Sequence, residues 1–134
     1  MIEIKSISKA FGNQVIFKDF SLNIEDGEFV VISGASGKGK TTLLNIMGGL
    51  EKCDSGEVII DGKPLDSQKS LREYWKNKVG FLFQNFALVE NKTAEQNLII
   101  IKKDARSNYE MDDILETVGL LQKKKENVSS ISGG

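Results

Sequence analysis

The sequence predicts an α/β fold in which a glycine-rich loop joins a buried strand to a helix, and three adjacent stretches carry the prediction. Phe29-Val30-Val31-Ile32-Ser33 is a short apolar, β-branched run suited to a strand covered on both faces. Gly34-Ala35-Ser36-Gly37-Lys38-Gly39-Lys40-Thr41 reads G-x-x-x-x-G-K-[ST], the Walker A pattern of phosphate-binding loops. Thr41 to Met47 then takes a helical pattern.

The remaining elements follow from pattern and punctuation. Ile2, Ile4 and Ile7 predict a first strand, and Val15-Ile16-Phe17 with Phe20, Leu22 and Ile24 one or two more. Gly48-Gly49 should stop the helix behind the loop, since glycine readily ends helices. Asp54-Ser55-Gly56 reads as a turn into the strand Glu57–Ile60, and Asp61-Gly62-Lys63-Pro64 as the next turn. A helix is predicted over Ser67–Asn77 and a buried strand over Val79–Phe83. Beyond Gln84 the chain turns helical. Thr93-Ala94-Glu95-Gln96 is a capping box, and Ser107-Asn108-Tyr109-Glu110 a second, opening a helix that Gly119 stops. Gln122–Asn127, with three successive lysines, reads as a solvated connection.

Composition narrows the function. Lys plus Arg number 18 against 19 Asp plus Glu, so nothing suggests a general nucleic-acid binder. No apolar run approaches the length of a membrane-spanning helix. One cysteine, Cys53, excludes an internal disulfide, fits a reducing compartment and reads as a loop thiol. There is no histidine.

The loop supplies the chemistry. Glycines at 34, 37 and 39 allow backbone angles that turn successive N–H groups inward, Ala35, Ser36 and Lys38 contributing amides between them. Those amides and the positive end of the next helix, at Thr41 and Thr42, cradle phosphate oxygens. Lys40 would reach the β- and γ-phosphates, and the Thr41 hydroxyl would ligate Mg²⁺.

Several stretches together are specific. They are Phe29–Gly37, Leu43-Leu44-Asn45-Ile46-Met47-Gly48-Gly49-Leu50, Ser55-Gly56-Glu57-Val58, Val79–Phe86 and Thr93–Leu98. On these the chain resembles, over its whole length, the ATP-binding subunit of an ABC transporter. Within that family it looks most like the branch serving lipoprotein-release, macrolide or bacteriocin/peptide export. The resemblance implies a P-loop ATPase fold: an antiparallel β subdomain and a partial parallel sheet with the loop helix, then a helical segment. The boundaries would be 1–84 for the nucleotide-binding core and 85–134 for the helical portion.

The resemblance also implies roles. Gln84 stands where the family's Q-loop glutamine touches Mg²⁺ and the attacking water; on sequence alone it is an ordinary turn residue. Phe11 stands where an aromatic stacks on adenine, although an aromatic at a strand end also suits a core. Ser132, Gly133 and Gly134 match the signature motif that contacts ATP across a dimer of two such subunits; alternatively they form a flexible tail. A membrane permease would hold the subunit at the cytoplasmic face of the membrane. Departures matter equally. The signature stops at Gly134, and no Walker B strand with its carboxylates, D-loop or switch histidine is found. The sequence therefore reads as an amino-terminal portion that binds nucleotide without efficient hydrolysis, with Phe29–Ser33 left as an unpaired apolar edge. Two rivals fit less well. A non-transport ABC ATPase usually carries long insertions or paired domains, and a P-loop kinase needs lid arginines, whereas only Arg72 and Arg106 are present.

Overall fold

The computed structural model describes residues 1–83, 87–100 and 109–131, in two compact units, Met1–Gly80 and Phe81–Gly134. Gln84, the second half of Val79–Phe86 and Ser132–Gly134 thus include positions outside the described residues.

In the first unit, β1 (Ile2–Phe11) lies between β2 (Gln14–Ile24) and β3 (Ser55–Ile60), with β4 (Lys63–Pro64) on the far edge. All pairings are antiparallel. The two apolar segments predicted before Gly27 are one continuous strand, β2. Asp61 and Gly62 both take positive φ, at 50° and 74°, as a two-residue turn of the mirror-image kind requires between β3 and β4. Gly56 belongs to β3 rather than to a turn before it. There β3 passes a bulge in β1 at Ser6, itself at φ 47°, and a Cβ on Gly56 would sit 2.4 Å from the Ser6 carbonyl oxygen.

One face of this sheet takes α1 (Lys40–Met47). Ile4, Ile7, Val58 and Ile60 from the strands meet Leu43, Ile46 and Met47 from the helix, and Tyr74 closes the cluster. The helix ends at Gly48, with Gly49 at φ 71° and its N–H on the Ile46 carbonyl. Its carbonyl end is also held from outside by α2 (Gln68–Asn77), which Ser67 opens with a capping box. The Tyr74 hydroxyl donates to the Met47 carbonyl at 3.1 Å, and the Trp75 indole to that of Gly48 at 2.9 Å. A side chain at Gly49 would strike Leu71, so glycine there lets α2 approach.

Two expected strands do not form. Phe29–Ser33 and Val79–Phe83 lie outside every strand, and the described sheet is antiparallel, with no parallel portion. The cause is pairing: a strand exists by its ladder, and no described segment offers either run one. Phe29 is accordingly 93% exposed and Val31 73%, in a segment that is not the strand edge expected above, while Ile32 and Val79 still rest on the core.

The second unit contains α3 (Ala94–Ile99) and α4 (Met111–Thr117). Thr93 and Gln96 close the predicted capping box. The second box lies partly outside the described residues; within them α4 starts after Glu110, which makes no side-chain cap, and Asp112 and Asp113 occupy its first turn. Gly119, at φ 71°, follows its end as expected. The basic connection is more than a solvated linker. Lys124 pairs with Asp112 at 2.6 Å and Glu95 at 3.3 Å, and its carbonyl accepts the Glu95 N–H, fastening the start of α3 to the segment after α4.

Candidate phosphate-binding site

The site begins with backbone angles. Gly34, Gly37 and Gly39 take φ of 144°, 75° and 86°, a region that side chains disfavour. The Lys38 N–H reaches back to the Ala35 carbonyl at 3.4 Å, closing a turn. Gly39 is doubly constrained. It is the left-handed residue ahead of α1, and β2 packs against it, so that a Cβ would lie 2.5 Å from Ile16 and 3.0 Å from Phe17.

The helix then presents its amino end. No side chain caps α1, and no acidic residue stands in its first turn. Its N–H groups and partial positive charge are therefore available to an acceptor of negative charge. Lys40 bends over the loop, its ammonium donating to the carbonyls of Gly34 and Ala35 at 2.8 Å each. It has no carboxylate partner among the described residues, so its charge is uncompensated beside the helix start. Ala35, Ser36 and Lys38 lie exposed along the loop, and Thr41 and Thr42 form the first turn behind it. The glycine loop, the helix start and the lysine thus lie side by side, and an uncapped helix end and an ammonium both favour anions.

These residues fit a nucleoside triphosphate with its magnesium. The cradle suits phosphate oxygens, and an exposed Thr41 hydroxyl beside it suits an ion that takes one or two protein ligands and completes its shell with phosphate and water. Among the described residues no cluster of acidic, cysteine or histidine side chains forms a metal site of its own.

Phe11 ends β1, opposite Gln14 at the tip of the β1–β2 hairpin, and is 48% exposed. Beside it is a feature that the sequence did not signal. The Lys9 ammonium lies 4.9 Å from the centroid of the Phe11 ring. Lys9 is the buried charged residue of the described chain, held by Glu51 at 2.6 Å, the Lys52 carbonyl at 2.8 Å and Asp54 at 3.5 Å. Those partners are more than 40 positions away, beyond any local pattern.

Comparison with known proteins identifies the family. The ABC transporter family matches residues 17–134. The methionine import ATP-binding protein MetN of Clostridium acetobutylicum is 41% identical across 100% of this chain and 44% of its own length. The macrolide export ATP-binding/permease protein MacB of Mannheimia succiniciproducens is 38% identical, again over the whole chain but 23% of the relative. A dimeric structure of the ATP-binding cassette MJ0796, in a post-hydrolysis state bound to ADP and Pi, superposes with a TM-score of 0.78. It is 32% identical, over 99% of this chain and 64% of that one. The chain spans between 23% and 64% of the length of the curated relatives it matches. On the family match, which takes in residues 17–134, the chain belongs to the ABC transporter family.

Proposed function

We propose that these residues form the nucleotide-binding part of an ABC transporter ATP-binding subunit, which binds Mg-ATP and whose hydrolysis powers transport through a membrane permease. The observation that carries it is that one loop–helix junction holds an uncapped α1 amino end, three positive-φ glycines and the Lys40 ammonium, which lies on the Gly34 and Ala35 carbonyls. Lys40 and the amides of residues 34–42 hold the β- and γ-phosphates, and Thr41 contributes a hydroxyl to magnesium. Magnesium, when bound, neutralises charge on the phosphates as the terminal bond breaks. Phe11 stacks on adenine. Gln84 orients water and metal, and Ser132, Gly133 and Gly134 face the nucleotide of a second subunit. The helical portion, 85–134, receives the permease at the inner face of the membrane.

Relatives named for import and for export both match, at 41% and 38% identity, so identity does not fix direction. We favour export on the resemblance carried by Phe29–Gly37, Leu43–Leu50, Ser55–Val58, Val79–Phe86 and Thr93–Leu98. Binding of a fluorescent ATP analogue to the chain and to its Lys40→Ala variant tests the site. At least a tenfold loss on substitution is expected; equal affinities would remove Lys40 and its loop from nucleotide binding.

A further inference from the structure

We propose that Lys9 is a positioning residue for the base of the nucleotide, fixing Phe11 and polarising its ring from beneath. Its role rests on the stacking of Phe11 on adenine proposed above. The lysine is placed unusually for one near a strand end. It is buried, and its ammonium is locked by two carboxylates and a carbonyl, all from residues 51–54 beyond α1. Asp54 also accepts the Ala10 N–H at 2.8 Å, so the backbone between Lys9 and Phe11 is tied to the same segment.

The consequence lies on the ring. A cation 4.9 Å from the centroid is within the range of a cation–π contact, which holds the ring against rotation at an otherwise exposed hairpin tip. It also draws π density toward itself. The face turned away from Lys9 becomes electron-poor and stacks better on an electron-rich purine. Glu51 holds the ammonium above the usual lysine range, so the charge persists across physiological pH. The segment carrying Glu51 and Asp54 directly follows α1, whose other end is the phosphate cradle. Base contact and phosphate contact thereby share one continuous segment, α1 and the residues that follow it.

Titration calorimetry of the 134-residue chain with Mg-ATP and with magnesium tripolyphosphate, which has no base, tests this. Lys9→Met keeps the apolar stem and removes the charge. It should weaken Mg-ATP about fivefold and leave tripolyphosphate unchanged, a loss in keeping with a partly desolvated cation–π contact. Lys9→Arg, which keeps the charge and its carboxylate partners, should restore ATP affinity. In a Phe11→Ala background Lys9→Met should change nothing further. Equal losses for ATP and tripolyphosphate, or an undiminished effect without Phe11, would overturn the proposal by giving Lys9 a purely structural part. If Phe11→Ala weakens ATP and Lys9→Met does not, the lysine alone is overturned. If Phe11→Ala has no effect, adenine stacking fails and the proposal with it. Should Lys9→Met fail to fold, Glu51→Gln loosens the ammonium while keeping its charge. A selective loss of ATP affinity would then support the proposal, and unchanged affinity would overturn it.

Discussion

At Gly56 the chain has no room for a side chain, because the Ser6 and Lys5 carbonyl oxygens would lie 2.4 and 2.5 Å from a Cβ. These are backbone atoms and cannot swing aside, and φ is 82°. Gly56→Ala should therefore destabilise the first unit by about 2–3 kcal/mol, from left-handed strain together with displacement of the β1 bulge. Urea unfolding followed by the fluorescence of the single tryptophan, Trp75, measures it. Asp61 gives a second residue-scale expectation. The Met1 α-amine, and then Lys78, hold its carboxyl below the usual carboxylate range. A depressed folded value means that this contribution is complete above the ordinary value of 3.8 and is lost as pH falls through it toward the folded value. Asp61→Asn should thus flatten the acid limb of a stability–pH curve. It should also soften the alkaline limb, because Asp61 helps to hold the Met1 α-amine above its ordinary value of 8.0 and that contribution is lost as pH rises through the folded value. Single residues also show what a sequence can announce. Gly34, Gly37 and Gly39 were legible because their spacing is local and only glycine takes those angles freely. The Lys9–Phe11 contact is two positions apart, yet Glu51 and Asp54 make it, and nothing local points to them.

Elements were legible where their signals are close in the chain. The strand β1, the helix α2, the Thr93 cap of α3 and the stop at Gly48-Gly49 each depend on residues close in the chain. Phe29–Ser33 and Val79–Phe83 carry strand composition as strongly as β1, yet composition gives a strand no ladder partner. Similarly, the bonds from α2 to the end of α1 span 27 positions and leave no periodic trace. They should matter nonetheless. Tyr74→Phe strips the buried Met47 carbonyl of a donor, and should lower stability by about 1–2 kcal/mol, as an unsatisfied buried acceptor does. Trp75 fluorescence in denaturant again reports it, and an unchanged midpoint would mean that water replaces the hydroxyl.

For the whole molecule, the nucleotide cradle is local to one unit, whereas phosphoryl transfer needs groups that hold metal and orient water. The 134 residues contain no histidine, and no run of four apolar residues ends in Asp-Glu. A preparation of this chain should therefore bind Mg-ATP and release phosphate at the background rate; Lys40-dependent turnover of a few per second would contradict that division. The central claim is that the loop at residues 34–42 binds the triphosphate, and thermal unfolding with and without Mg-ATP tests it most directly. At a hundred times the dissociation constant, ligand linkage adds about 2.7 kcal/mol to the folded state. The melting temperature should rise in the native chain and rise clearly less in Lys40→Ala, where a tenfold or greater loss of affinity leaves about 1.4 kcal/mol of stabilisation or less; an equal rise in both, or none in either, would contradict the assignment of this loop.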